Sequence, residues 1–579
     1  MDERARLAEL LQELATLLEL SGENPFKIRA IQNAARVLET SALSLDALAA
    51  SPPKGFGKGL LDKVAEFRQS GRLTELERRR AAFPPGVLDL LRVPGLGPKK
   101  VKLLYEELHI ASLDDLEQAC RQGRLLELKG FGEKSQANLL QGLAFLRQFQ
   151  GQFRYAEAEE HARRLVAFLR ARVGPDLPLE IAGSLRRRKE IVRDVDLLAA
   201  SDGPAAVMAA FLAWPDRARV LAEGETKSSI LLENGLQVDL RVVPPESFGP
   251  ALCYFTGSKE HNTRLRALAL EQGYKLNEYG LYQGERSAPM ATEEEVYAAL
   301  GLPWIAPELR EGLDELEWAR ANALPVLVGE DDLRGAIHAH STFSDGRATV
   351  DEMATAAQRL GWRWLGLSDH SRSAHYAHGL EIDRVKEQWA VIDEVNARRP
   401  GLRVLKGIES DILPEGGLDY PDEVLDGFEF VIASVHSQLS MPAEAMTRRV
   451  LAALENPHVA VLGHPTGRLL LEREGIGLDL EAVLAACVRL GIAVEINANP
   501  HRLDLDWRKI RAWRDSGLKF IIGPDAHAPE GLAHVRYGVG IARKGGLTRE
   551  HLLNCLDAEA ALAALQARRR AGHGRHARR

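Results

Sequence analysis

Near the start of the chain, apolar residues fall at helical spacing: Leu7, Leu10, Leu11, Leu14, Leu17 and Leu18. This predicts an amphipathic helix over residues 3–20 whose leucines pack into a small bundle. A short unit then recurs. Gly55-Phe56-Gly57 precedes Lys58, Leu60 and Leu61; Gly95-Leu96-Gly97 precedes Lys99, Lys100 and Val101; Gly130-Phe131-Gly132 precedes Lys134 and Leu139. Each copy reads helix, apolar residue, Gly-x-Gly, basic residues, helix, which is a helix-hairpin-helix pattern repeated within one chain. The glycines permit the tight turn, and the open N–H groups of the following helix suit a phosphate. The lysines add attraction without reading bases. One Gly-x-Gly is only a turn. Three flanked alike predict sequence-independent DNA binding.

Beyond residue 150 the pattern changes to short strands. Leu179 to Ala182 reads as a buried strand that ends at Gly183-Ser184, and a second strand runs from Asp194-Val195-Asp196 into Leu197 to Ala200. Residues two apart on a strand share a face, so Asp194 and Asp196 aim both carboxylates at one spot. Like charges that close repel unless a cation lies between them. Mg²⁺, which shares its shell between carboxylates and substrate phosphates, suits the pair. Asp239 adds a third carboxylate on another apolar strand, Gln237 to Val243. The Gly183-Ser184 turn offers N–H groups and a hydroxyl to a phosphate, and Arg186 or Arg187 can add a bidentate contact. Three carboxylates beside such a turn are what two-metal nucleotidyl transfer requires.

From Ala336 onward, short apolar strands alternate with amphipathic helices, an α/β layout with parallel strands. Nearly every strand ends in a metal-type side chain: His338 and His340, with Asp345 in the loop beyond, then His370, Glu409, His436, His464, and finally Asp525 and His527. In a parallel barrel the C-terminal strand edge is where active sites are built. One histidine after a strand is commonly a packed residue, but convergence at successive strand ends argues for a metal centre. Nitrogen and oxygen ligands without thiolate suit Zn²⁺, Mn²⁺ or Fe²⁺ better than Mg²⁺ alone. Glu409 and Asp525 are the candidates to bridge ions, and the reaction class is phosphoester hydrolysis.

Composition narrows the picture further. A chain of 579 residues holds several domains, roughly four on length alone. The net charge of −7 argues against uniform nucleic-acid coating and leaves room for local basic patches. Cys120, Cys253, Cys487 and Cys555 lie far apart with no Cys-x-x-Cys, which fits a reducing cytosol and gives no thiolate zinc site. No apolar run is long enough to span a membrane, and Asp2, Glu3 and Glu9 do not suit a signal peptide. A cytoplasmic, nucleoid-associated monomer is expected. Pro303, Pro307 and Pro325 mark a linker with a short helix. The arginine-rich end after residue 567 reads as an unstructured basic tail.

The Gly183–Asp196 stretch and Asp239 resemble the nucleotidyltransferase palm of the family X DNA polymerases. The resemblance implies that Asp194, Asp196 and Asp239 are metal ligands and that Gly183, Ser184 and Arg187 hold a triphosphate. Tyr254-Phe255-Thr256-Gly257-Ser258 is similar to the family's nucleotide-binding turn, with Asn262 at the incoming nucleotide and Arg266 at the template. Lys275 to Gly280 is similar to its thumb. Arg188 and Arg193 depart from the family by standing where many members have glycine. By the same resemblance, Gly55, Gly57 and Lys58 meet the 5′ side of a gap, while Gly95, Gly97, Lys99 and Lys100 meet the primer strand. Gly130, Gly132 and Lys134 form the third DNA-binding turn. Lys63 falls at the Schiff-base lysine of lyase-competent members and Lys27 at a 5′-phosphate ligand. Gly59 and Ile31 replace a second lysine and a tyrosine of those members, which weighs against lyase activity.

The region from Ala336 resembles the PHP (polymerase and histidinol phosphatase) family, a distorted (β/α)₇ barrel with a trinuclear metal site, and all nine expected ligands are in place. The implied fold is multidomain, combining α/β and α+β parts. A helical helix-hairpin-helix region covers 1–80 and fingers 81–150, followed by a palm at 151–240 and a thumb at 241–305. A linker at 306–332, a PHP barrel at 333–567 and a basic tail at 568–579 complete it. The implied function is gap filling from dNTPs on gapped or primer-template DNA, with Mg²⁺ or Mn²⁺ in the palm. A barrel 3′→5′ exonuclease with Mn²⁺ or Zn²⁺, three ions in all, accompanies it. The alternatives are a DNA-recruited phosphoesterase and a DNA-end scaffold with an inactive palm.

Overall fold

The leucine stripe of the first residues becomes the centre of a helical unit. In the computed structural model, which describes residues 3–40, 45, 52, 56–93 and 95–569, the chain forms two compact units, residues 1–150 and 151–579. In the first, helix Glu3–Leu20 packs against Pro25–Thr40, burying Leu7, Leu11, Leu14, Leu17 and Leu18. Gly57 and Gly97 are the N-cap residues of helices Lys58–Ser70 and Pro98–Leu108, neither of which has a side-chain cap. Gly132 immediately precedes helix Glu133–Gln148. Gly95 and Gly130 have φ of 86° and 95°, a conformation that favours glycine. Gly55 lies outside the described residues.

The second unit opens on a five-stranded sheet in the order Leu179–Ile181, Asp194–Ala200, Gln237–Val243, Lys227–Leu232, Arg217–Ala222. The pair Asp194–Ala200 and Gln237–Val243 is parallel, and its neighbours are antiparallel. Val195, Leu197 and Ala199 pack into the core shared with helices Tyr155–Val173 and Pro204–Leu212. Leu198 joins Ala251 and Leu252 of helix Phe248–Thr256 on the other side. Alternation along the strand therefore puts Asp194 and Asp196 on the Leu198 face.

The stretch expected to be a linker is packed. It carries the short helix Glu315–Arg320, and Leu309, Arg310, Glu315, Leu316 and Ala319 are buried in it. The physical reason is an ion pair. Arg310 gives two hydrogen bonds to Glu293, at 2.6 and 2.9 Å, and Glu293 also takes two from Arg186, at 2.8 and 2.9 Å.

The metal-type pattern resolves into a seven-stranded parallel sheet with its strands in sequence order: Gly335–Ala339, Trp364–Leu367, Arg403–Asp411, Phe430–Ser434, Val459–Leu462, Ala493–Asn497 and Phe520–Gly523. First and last strands meet through a parallel bridge, Ala339 to Ala526. Asn554 spans the same seam, donating to the carbonyls of Gly335 (3.0 Å) and Ile522 (2.9 Å). Arg568 and Arg569, expected to begin a free tail, donate to backbone carbonyls of residues 454–456 and 425–428. The rest of the tail, 570–579, lies outside the described residues. Among the described residues no helix is long and apolar enough to cross a membrane, and the four cysteines are buried and unbridged.

Candidate active sites

On the five-stranded sheet, Asp196 stands directly opposite Asp239, and Asp194 opposite Gln237. Burial first, and then the neighbouring Asp194 and Asp239, pushes Asp196 up to about 6. Burial and Asp239 also raise Asp194. Such a cluster favours a cation that neutralises it. Gly183 makes room for it: a Cβ there would lie 2.1 Å from Asp196 Oδ2, and its φ is +63°. Asp239 accepts from Gln237 Nε2 at 2.8 Å and faces Lys227 Nζ at 3.4 Å.

Arg186 and Arg187, offered alike by the sequence, have different fates. Arg186 is held by Glu293 and donates to Thr256 Oγ1 at 2.7 Å. Arg187 donates to the Thr256 carbonyl and to Glu311, and its Nη1 lies 3.1 Å from where a Gly257 Cβ would be. The turn after helix Phe248–Thr256 is thus drawn to the Gly183–Arg187 segment. Asn262 donates to the Tyr254 carbonyl at 2.7 Å, and Tyr254, Asn262, Arg266 and Asn277 line one small cleft. Phe255 lies under Arg241, whose guanidinium is 4.5 Å from the ring centre. Ser184 sits in the short turn of helix Gly183–Arg186. Arg193 is exposed beside Asp194, whereas Arg188 adopts φ +59° and turns to Glu159 (3.6 Å) and the Tyr155 ring.

At the barrel mouth, four overlapping groups bring one ligand atom per residue within 4.8 Å of one another: His340, Asp345, His370, His527; His338, His340, Asp525; His338, Glu409, His464; and His370, Glu409, His436. Together they contain all nine residues singled out by strand position. Among the described residues the palm carboxylates do not form such a group. Glu409 belongs to two groups and Asp525 to one. His338 Nε2, both ring nitrogens of His340, His370 Nδ1 and Glu409 Oε2 are buried without a hydrogen-bond partner. Unpartnered buried polar atoms are costly and rare, and lone pairs converging on shared points are what a metal ion satisfies. Burial, with His527 and His370 nearby, lowers His340 to about 3, so its ring is neutral and free to coordinate. The residues present therefore fit metal ions. His338 and Asp525 both have positive φ, 62° and 52°, a strain of roughly 1–3 kcal/mol each that is typical of functional sites.

Four family descriptions match along the chain: Helix-hairpin-helix domain at residues 2–73, SAM-like Helix-hairpin-helix tandem at 87–144, DNA polymerase beta thumb at 251–311 and PHP domain at 336–499. The DNA polymerase/3'-5' exonuclease PolX of Bacillus subtilis (strain 168) is 38% identical over 556 residues, spanning 95% of this chain and 96% of its own. The chain belongs to the PolX family of DNA polymerase/3'-5' exonucleases. A probable phosphatase of Thermoanaerobacter sp. (strain X514) is 28% identical over 230 residues, 38% of this chain and 88% of its own. A solved Leishmania infantum polymerase beta, titled as a ternary P/T complex, aligns with 39% of this chain and 99% of its own. Its identity is 22% and its TM-score 0.26, too low to bear on the fold.

The PolX-family barrel also holds groups that strand-end reasoning passed over. His338 Nδ1 meets Glu495 at 2.5 Å, and His436 Nδ1 meets Asp411 at 2.5 Å. Both carboxylates fix a ring so that its other nitrogen faces the cluster. Asn497 donates to Asp525 at 3.2 Å. The signal available was a lone Glu495 inside the apolar run Val494 to Ile496. Asp369, beside the candidate ligand His370, is consumed instead by Ser341, Ser344 and Gln388. In the helical unit, Lys63 (2.5 Å) and Lys27 (3.0 Å) converge on opposite oxygens of Glu75. Lys58, Lys99, Lys100 and Lys134 are exposed.

Proposed function

We propose that this PolX-family chain divides its two chemistries between two metal centres, adding nucleotides in the palm and removing them from 3′ ends at the barrel mouth. The supporting observation is the convergence of nine barrel ligands in a different fold from the paired carboxylate strands. Asp194, Asp196 and Asp239 would hold Mg²⁺ or Mn²⁺ in the palm, and the nine barrel residues three ions, Mn²⁺ or Zn²⁺. Such ions, when bound, stabilise the charge of the transferring phosphoryl group and activate the attacking oxygen.

The chain's own residues do the remaining work. Ser184, Arg187 and the N–H groups of the Gly183 turn orient the triphosphate. The Tyr254–Gly257 turn and Asn262 seat the sugar and base of the incoming dNTP, and Arg266 faces the template. Gapped DNA is held through its backbone by the turns at Gly57, Gly97 and Gly132 with Lys58, Lys99, Lys100 and Lys134, and the protein acts as a monomer. Glu495 and Asp411 keep His338 and His436 in one tautomer and orientation. Lyase chemistry at Lys63 is the lesser reading, because Lys63 would first have to leave Glu75.

Separation of function tests the division. Asp194→Asn with Asp196→Asn is expected to abolish nucleotide addition on a one-nucleotide gap and spare degradation of a 3′ end. His338→Ala with His340→Ala is expected to do the reverse, with folding checked by circular dichroism because metal loss can cost stability. A palm double mutant that stays folded, binds DNA and yet loses its nuclease activity as completely as synthesis would sink the assignment.

A further inference from the structure

The barrel's last long helix, Val535–Lys544, reaches the palm. Lys544 is completely buried, and none of the hydrogen-bond partners of its ammonium belongs to the barrel. Its Nζ donates to the Arg187 carbonyl at 2.9 Å, to the Glu308 carbonyl at 3.5 Å and, through a short contact, to Glu311. The Trp507 ring lies beneath it, 4.6 Å away. The same Glu311 oxygen accepts from Arg187 Nε at 3.1 Å, and Lys189 Nζ stands 3.9 Å from the other oxygen. Arg187 and Glu311 are 12% and 10% exposed, so this is a nearly dry cluster in which each charge depends on its partners. Alongside it, Arg188 packs on Gly540 of the same helix, 3.3 Å from where a Cβ would be.

A buried ammonium is costly, and an apolar side chain would fill the space with less penalty. Its placement makes sense through what Arg187 must do. To meet a triphosphate, Arg187 has to release Glu311, and a buried carboxylate left without a partner is strongly disfavoured. Lys544 keeps Glu311 paired when Arg187 departs. We infer that Lys544 is a positioning residue for nucleotide addition: from the barrel, it holds Glu311 so that Arg187 is free to engage the incoming triphosphate. The inference rests on the reading of Arg187 as a triphosphate ligand and extends it to a residue in the other catalytic domain.

Single-nucleotide gap filling by the full chain, with KM for dNTP and kcat separated, tests this. In Lys544→Met, Glu311 keeps Arg187, and KM is expected to rise about tenfold, as when the competent arrangement is populated a tenth of the time. Little change in kcat or in 3′-end degradation is expected. Lys544→Arg should stay near the parent value. In Glu311→Gln with Lys544→Met no carboxylate traps Arg187, so KM should fall back towards the parent. A merely structural lysine would not be rescued in this way. An unchanged KM in Lys544→Met, or a raised KM that the double variant does not recover, overturns the inference. Arg187→Gln distinguishes the two levels. If it leaves KM for dNTP unchanged, the nucleotide-ligand reading itself fails. If it raises KM while Lys544→Met does not, only the role of Lys544 falls. Should Lys544→Met fail to fold, Glu311→Gln alone decides: KM at or below the parent supports the inference, and a raised KM overturns it.

Discussion

At the scale of single residues, the two sites depend on side chains that ligate nothing. Glu495 and Asp411 are examples, because each fixes a ring whose other nitrogen faces the cluster of candidate ligands. Replacing Glu495 by Gln or Asp411 by Asn keeps the shape and removes the charge. Such outer partners typically govern 10- to 100-fold of metal affinity, so about that loss is expected in each variant. Competition of the purified protein with a chelator of known affinity measures it, independently of activity. Lys544 offers a pH test. Burial lowers it to about 8, against the pull of Glu311 and, more weakly, Glu190, with Arg187 lowering it further. Its ammonium is therefore present below about pH 8 and lost as pH rises through that value. KM for dNTP should climb as pH rises through about 8 in the parent, and this climb should vanish in Lys544→Arg, whose charge persists throughout. Parallel profiles for the two proteins would rule Lys544 out as the titrating group.

At the scale of elements, the thumb is tied to the palm by one buried carboxylate. Glu293 takes paired hydrogen bonds from both Arg186 and Arg310. Those cations hold its carboxyl well below the usual range despite burial that pushes it up. Arg310 is fully buried, so Glu293→Ala would leave a dry guanidinium unpaired. A loss of about 3–5 kcal/mol is expected for breaking such a pair from one side, read from urea unfolding of residues 151–579 within the full chain. A loss below about 1 kcal/mol would mean that water replaces the carboxylate. The helix-hairpin-helix turns belong to this scale too. Lys100 donates to the Gly95 carbonyl at 3.1 Å, closing its own turn, and both Lys99 and Lys100 are exposed. Lys99→Ala with Lys100→Ala should weaken DNA binding and flatten the plot of log affinity against log salt by roughly one to two ion equivalents. An unchanged slope would remove this turn from the DNA interface.

At the scale of the whole molecule, the palm and barrel lie within one compact unit. A polar seam joins the barrel to the palm through Arg154 with Glu472 and Arg536 with Glu159 at 3.4 Å, and to the segment after the thumb through Arg543 with Glu308 at 2.7 Å and Lys544 with Glu311. The departure of Arg188 from the glycine of many family members finds its setting here. Its side chain, projecting from a left-handed backbone, is held between Tyr155, Glu159 and Gly540.

The sequence by itself determined where metal-type and carboxylate side chains could gather. Successive parallel strands deliver their C-terminal residues to one edge, so nine side chains at strand ends had to converge if the strands formed a closed sheet. Alternation likewise put Asp194 and Asp196 on one face, and the Gly-x-Gly units placed glycine where positive φ was needed. Local periodicity says nothing about which side chains from different elements will meet. Only the tertiary structure decided that Glu293 consumes Arg186 while Arg187 is held by Glu311, and that Lys27 and Lys63 meet at Glu75. It also turned an expected linker into packed core around Arg310. The outcomes at Glu293, Glu311 and Arg310 depend on burial of a charge, which is tolerated only where the folded chain brings up its partner.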